Sequence, residues 1–230
     1  MILSIDIETV AKKKYSELSE RELSIWRSRT KNRFKECEIS EIAENNFCNK
    51  YENNAGFYPE FSEVVCISIY AKDVCRSFTC IDGVDNELQI LKYFAEAIAE
   101  LKPTHLLGHN IKTFDIPYLI HKYMQHQISC PAIFKKGFGI LNKNMITTPK
   151  PWELDIYIDT MQLFRSLSSE YYSLDAICLL LNIPTPKKQM SGSQVAENYP
   201  HNIAKIAKYC EADCKAVAAI YINFINFLKQ

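Results

Sequence analysis

Three short groups of residues in this sequence could carry chemistry. Asp6 and Glu8 stand two apart in the N-terminal run ILSIDIE. Side chains in a strand alternate with a period of two, so both carboxylates point from one face at the strand's exit. Like charges buried side by side are costly unless a cation neutralises them. A hard divalent ion such as Mg²⁺ or Mn²⁺ wants oxygen ligands of this kind. The alternative is an exposed strand end whose acids are solvated. The second group, GHNIKTFD (108–115), presents Asn110 and Asp115 where a strand gives way to a helix. Open α/β sheets place their sites at such strand ends, although an Asp at a helix start is usually just a cap. In the third group, YCEAD (209–213), Tyr209 and Asp213 share a helix face at i and i+4. That helix, pressed on a sheet, would carry Asp213 to the strand carboxylates; otherwise Asp213 is a surface acid beside a core tyrosine.

The elements that must position these groups are legible in the hydrophobic pattern. A buried strand is predicted over 2–8, two strands over 64–71 and 74–81, another over 104–110, and a fifth within 153–164. The two-residue joint Lys72-Asp73 predicts an antiparallel hairpin without the usual Asn-Gly signal. Helical spacing covers 85–101, 114–126 and 173–183, the last capped by Ser173, with two or three further helices over 193–228. Pro117 suits a first helical turn, where a missing N–H costs nothing. The order predicts a mixed five-stranded sheet flanked by helices in one compact α/β domain spanning 1–230.

Residues 12–52 differ in character. Nine basic residues stand against three Glu within 12–35, and seven Glu against Lys50 within 36–63. This predicts two helices of opposite charge inserted after the first strand, as a mutually neutralising solvated hairpin or a DNA-facing arm. Another stretch, 121–150, carries Lys122, Lys135, Lys136, Lys143 and Lys150 with no acidic residue.

Composition bounds the rest. The 230 residues are 47% hydrophobic and 23% charged, which excludes a disordered or low-complexity chain. Lys+Arg and Asp+Glu both number 27, so an anionic partner must be met by a local patch. Nine cysteines with neither Cys-x-x-Cys nor zinc spacing read as free thiols of a reduced, cytoplasmic protein. Cys210 and Cys214, four apart, could share a helix face, but two thiols alone make a poor metal site. Met1 runs directly into an apolar strand with no basic leader, and AVAAIYINFINFLK is too short to span a bilayer, so no membrane association is expected.

Taken together, Asp-x-Glu on a first strand, Asn-x-x-x-Phe-Asp before a middle helix and Tyr-x-x-x-Asp on a late helix resemble, in order, the three motifs of the DnaQ-like (DEDD) 3′–5′ exonucleases, which have a ribonuclease H-like fold. The tyrosine resembles the DEDDy branch, like the proofreading domain of family B DNA polymerases. Tyr58-Pro59 followed by EVVCISIY, then IDTMQLF, SLDAICLLLNIPTPKK, SGSQVAENY and IAKYCEAD, are similar to the stand-alone group of predicted exonucleases related to that domain. The likeness covers roughly 1–10 and 56–228. Two departures stand out: 12–52 has no counterpart, and Cys214 replaces a more usual aliphatic residue.

The resemblance implies that Asp6, Glu8, Asp115 and Asp213 bind two Mg²⁺ or Mn²⁺ ions, with Tyr209 orienting the attacking water. A phenol with a pKa near about 10 is a poor full base at neutral pH. Thr9 and Asn110 are candidate substrate contacts, and Phe114 either stacks on a base or packs in the core; Lys112 in the second motif and Lys135 and Lys136 in the acid-free stretch are the candidate phosphate contacts. Asp159 is expected to support the site, and none of the five histidines falls where a histidine-dependent branch would need one. The expected function is removal of nucleoside 5′-monophosphates from single-stranded DNA 3′ ends, in company with replication or repair proteins. The alternatives are a 3′–5′ exoribonuclease and a non-catalytic nucleic-acid-binding subunit of a replication or repair complex.

Overall fold

Strand β1 (Ile2–Ala11) organises the sheet. It runs through Thr9 and Val10 to Ala11, because these β-branched residues keep the chain extended. Asp6 and Glu8 therefore lie inside the strand, not at its exit as the sequence suggested. The computed structural model describes residues 1–31, 41–79, 87–137, 141–142, 145–146, 155–185 and 190–230. By contact, the chain divides into two compact units, Met1–Glu8 with Val64–Gln230, and Thr9–Glu63.

The larger unit carries β2 (Ser62–Ala71, entering from the smaller unit), β3 (Val74–Thr79), β4 (His105–Gly108), the short pair β5 (Leu141–Asn142) and β6 (Met145–Ile146), and β7 (Tyr157–Asp159). The main sheet has the order β3-β2-β1-β4-β7. β4 runs parallel to β1 and β7, with Leu3 opposite Leu106 and Gly108 opposite Asp159. β2 and β3 are antiparallel, so the five-stranded sheet is mixed as expected. Lys72 and Asp73 make their turn with φ of 49° and 63°, the left-handed pair that a two-residue hairpin requires. β5 and β6 form a separate antiparallel pair that the sequence did not announce.

Helices α1 (Glu20–Lys31) and α2 (Glu41–Asn54) belong to the smaller unit; α3 (Glu87–Leu101), α4 (Asp115–Gln125), α5 (Ala132–Gly137), α6 (Thr160–Ser168), α7 (Leu174–Leu180), α8 (Val195–Asn198) and α9 (Ile203–Leu228) belong to the larger. Strand alternation splits β1 between two layers. Leu3, Ile5 and Ile7 face one core with Ile90, Leu91 and Phe94 of α3 and Leu119 and Tyr123 of α4. Each such side chain contributes about 1.5–3 kcal/mol by leaving water. Ser4, Asp6 and Glu8 alternate to the opposite face. There the Ser4 hydroxyl donates to the Cys214 carbonyl at 2.9 Å, and the Cys210 thiol donates to the Asp6 carbonyl at 3.3 Å, fastening α9 along the strand. Phe164 of α6, Ile177 and Cys178 of α7, and Ala216 and Ile220 of α9 pack as a second cluster.

A buried acid also helps lock the first layer. Glu87 accepts the Val64 N–H at 2.8 Å and meets Lys122 Nζ at 3.1 Å and His126 Nε2 at 2.7 Å. β2, α3 and α4 are thereby joined through one carboxylate.

The Thr9–Glu63 unit has its own aromatic core of Tyr15, Trp26, Phe47, Tyr51 and Phe61. The Trp26 indole donates to the Phe47 carbonyl at 3.0 Å and meets the Tyr51 ring edge-on at 5.1 Å. Its two helices are those predicted for 12–52. Charge is matched inside the unit: Lys13 pairs with Glu22, Arg27 with Glu44 and Arg29 with Glu60. The packed aromatics make it more than the solvated hairpin suggested by its charge.

Candidate active site

Motif residues from three elements meet on the polar face of β1. β1 supplies Asp6 and Glu8, the start of α4 supplies Asp115, and α9 supplies Tyr209 and Asp213. On α9 the buried positions Ile206, Tyr209, Cys210, Asp213, Cys214, Val217 and Ile220 follow the 3.6-residue period. Asp213 is thus carried inward by an otherwise apolar stripe. Glu8 and Asp213 are each 8% exposed and Asp115 3%, while Asp6 is partly buried.

The turn before Asp115 is tightly built. At Gly108, which ends β4, a Cβ would stand 2.7 Å from the Ile111 Cβ, so a side chain there would collide with the returning chain. Asn110 follows with φ 65°, a conformation asparagine tolerates better than most residues. Its carbonyl accepts the N–H groups of Thr113 and Phe114, and its side-chain oxygen accepts the Thr113 hydroxyl. The Asp159 carboxylate takes the N–H of Asn110 at 3.0 Å and of Lys112 at 3.2 Å. It also caps α6 through Met161 N–H at 3.0 Å and Gln162 N–H at 3.4 Å. Asp159 is therefore the brace that the sequence suggested, tying β7 and α6 to the Asp115 turn.

The acids depress one another's ionisation. Burial raises the Asp6 pKa well above the usual carboxyl range, and the charges of Asp213, Glu8 and Asp115 raise it further. Glu8 is raised in the same way, by burial first and then by Asp213. Burial pushes Asp115 up to about 7; Asp159 and Asp213 add to this, while N–H groups of Asp115 itself and Ile7 oppose it. Burial also raises Tyr209, followed by the charges of Asp213, Glu8 and Asp6, so its phenol stays protonated and can donate.

This donor set fits hard divalent cations. Among the described residues, Asp6, Glu8 and Asp115 have no ion pair with a basic side chain. One buried carboxylate oxygen, Asp6 Oδ2, lacks a hydrogen-bond partner. Ligand atoms of Asp6, Glu8 and Cys210 lie within 4.8 Å of one another. Sequence spacing pairs Cys210 only with Cys214, as a poor metal site; the structure places its sulfur beside the strand acids instead, through its position next to Tyr209 on the inward face of α9.

The expected substrate residues are placed less uniformly. The Thr9 hydroxyl donates to the Gly56 carbonyl at 2.7 Å within the smaller unit. Phe114 packs against the main core, with its ring 5.5 Å from that of Tyr118. Lys112 is half-buried, and burial lowers its ammonium pKa. Lys135 is exposed on α5, whereas the Lys136 side chain lies outside the described residues, as do Lys143 and Lys150.

A family described as predicted 3′–5′ exonucleases related to the exonuclease domain of PolB matches residues 57–229. The chain belongs to this family. The matched span holds Asp115, Tyr209 and Asp213, while Asp6 and Glu8 precede it. Among curated relatives, the DNA polymerase delta catalytic subunit of Schizosaccharomyces pombe is 24% identical over 181 residues, covering 71% of this chain and 16% of that protein. The DNA polymerase catalytic subunit of Human herpesvirus 6B is 25% identical over 176 residues, covering 64% of this chain and 17% of that protein. The chain thus spans about a sixth of the length of these relatives. In fold, it resembles the family B DNA polymerase from the archaeon Pyrobaculum calidifontis with a TM-score of 0.58 and 14% identity, over 99% of this chain and 25% of the other. The mixed sheet flanked by helices is the ribonuclease H-like α/β architecture expected of the exonuclease family.

Proposed function

We propose that this chain is a divalent-cation-dependent 3′–5′ exonuclease that removes nucleoside 5′-monophosphates from the 3′ ends of single-stranded DNA. The observation that carries this reading is the convergence of Asp6, Glu8, Asp115 and Asp213 from three elements, with Tyr209 beside them and no basic partner for the first three among the described residues. Family membership and the polymerase relatives support it and favour DNA over RNA.

Asp6, Glu8, Asp115 and Asp213 would hold the ions. When bound, two divalent cations supply charge neutralisation at phosphorus, activation of the attacking water and stabilisation of the leaving 3′ oxygen. The chain's own contribution is position. Asp159 fixes the turn that aims Asp115, and the thiol and hydroxyl bonds to β1 fix the height of α9. Tyr209, protonated and hydrogen-bonded to Asp213, would orient the nucleophile through its hydroxyl; its raised pKa makes it a poor proton acceptor at neutral pH. Asn110 and Lys112, on the turn leading to Asp115, are suited to hold the terminal phosphates. Lys135 and Lys136 would extend that contact along the strand, and Phe114 serves mainly as packing. Replication or repair proteins are the partners this activity calls for.

The test is product analysis on matched 5′-labelled single-stranded DNA and RNA with Mg²⁺, Mn²⁺ or EDTA. A one-nucleotide ladder from the DNA 3′ end is expected. It should require metal and fall at least about a thousandfold in Asp6→Ala/Glu8→Ala, the scale of losing a preorganised charge-stabilising group. Faster digestion of RNA would reassign the substrate. Metal-independent DNA binding without nucleotide release would indicate a binding subunit.

A further inference from the structure

Beside the four carboxylates gathered at β1 stands a thiol, which fastens α9 to the strand and is also within reach of two of those acids. Cys210 is fully buried, and its sulfur is held at 3.3 Å from the Asp6 carbonyl. The same sulfur lies within 4.8 Å of carboxylate oxygens of both Asp6 and Glu8. Tetrahedral zinc with sulfur and oxygen ligands needs donor atoms about 3.6 Å apart, and the three donor atoms stand within 4.8 Å of one another. Two further observations point to a ligand. Glu8 is more than nine-tenths buried with no hydrogen-bond or ion-pair partner among the described residues, and Asp6 Oδ2 is a buried oxygen with no partner. Mg²⁺ gains little from sulfur, whereas Zn²⁺ and Cd²⁺ bind thiolate strongly.

We propose that Asp6, Glu8 and Cys210 form a binding site for a thiophilic divalent cation of the Zn²⁺ class, which competes with Mg²⁺ or Mn²⁺ for the two strand carboxylates. Binding forms a metal–sulfur bond, the thiol proton passes to buffer, and nothing is oxidised or reduced. The ion so held engages Asp6 and Glu8 through a ligand set that excludes Asp115 and Asp213, so zinc-class ions should arrest the hydrolysis that Mn²⁺ supports. The inference rests on the reading that these acids take divalent cations.

Cd²⁺ is the probe, because cadmium–thiolate bonds absorb in the ultraviolet. The metal-free protein is titrated with CdCl₂ alongside Cys210→Ser, Cys210→Ala and Asp6→Asn/Glu8→Gln, each checked by circular dichroism. The wild-type-minus-Cys210→Ser difference should show a charge-transfer band saturating at one Cd²⁺ per chain. Affinity should fall about 10- to 100-fold or more in the cysteine variants and in the carboxylate double variant, at least the loss seen for supporting residues at metal sites. An identical band in wild type and both cysteine variants overturns the proposal, because the signal then comes from other thiols. So does a band that survives Asp6→Asn/Glu8→Gln. Mn²⁺ binding, read by electron paramagnetic resonance on the same samples, separates the two claims. Mn²⁺ bound without a Cys210-dependent cadmium band sinks this inference alone, and failure to bind either ion sinks the cation reading as well.

Discussion

The larger unit buries acids in two places and treats them in opposite ways. Glu87 is surrounded by compensation: Lys122, His126 and the Val64 N–H all meet its carboxylate, and the network ties β2 to α3 and α4. On the other side of the sheet, Asp6, Glu8 and Asp115 face one another and Asp213 with no basic side chain paired to the first three among the described residues. A paired buried charge is tolerable, while a group of unpaired like charges raises the free energy of the fold. The first arrangement holds the structure together; the second stores repulsion that an external cation can relieve.

Removing charge should therefore have opposite effects at the two places. Lys122→Met leaves Glu87 buried beside a neutral chain and should lower stability by about 3–5 kcal/mol in denaturant titration. A loss under about 1 kcal/mol would show that His126 and the Val64 N–H suffice. Asp6→Asn in EDTA should instead raise stability by about 1–2 kcal/mol, by relieving like-charge repulsion at the expense of activity. Destabilisation there would break the contrast.

The pH dependence sharpens the same point. Asp115 has a folded-state pKa of about 7 against 3.8 for an ordinary aspartate. Between those values the folded state holds more protons than the unfolded, so the stability of the metal-free protein should fall as pH rises through that window. Excess Mn²⁺ should flatten the decline, as followed by melting temperature.

The smallest effect lies in the Thr9–Glu63 unit, where charges are paired near the surface. Hydrogen bonds from Lys13 and Ser19 lower the Glu22 pKa to about 2. Its contribution should be complete above pH 4.5 and vanish as pH falls toward 2. Glu22→Gln should cost only about 0.5–1 kcal/mol at neutral pH; a larger loss would mean that this pair anchors the unit's aromatic core.

Much of this was legible from residue types and spacing. The period of two in ILSIDIE put Asp6 and Glu8 on one face, and the i, i+4 spacing put Tyr209 beside Asp213. Ser173 does cap α7, accepting the Ala176 N–H at 3.2 Å. Less was legible where long-range contact decides. Asp159 was expected to support the site, but nothing local named its partners, the N–H groups of Asn110 and Lys112, 47 to 49 residues away in sequence. The charge blocks of 12–52 disguised an aromatic core, because Trp26, Phe47, Tyr51 and Phe61 are spread over two helices and a following segment.

The sequence by itself determined the layers and the identities of the acids, since alternation and helical period are local consequences of backbone geometry. Only the tertiary structure decided which faces meet. Packing α9 along the Ser4–Asp6–Glu8 face turned four separated carboxylates into one interacting group and set the Cys210 sulfur among them. The physical reason is that a residue's charge is written in the sequence, whereas its desolvation and its neighbours' fields exist only once distant segments are buried together.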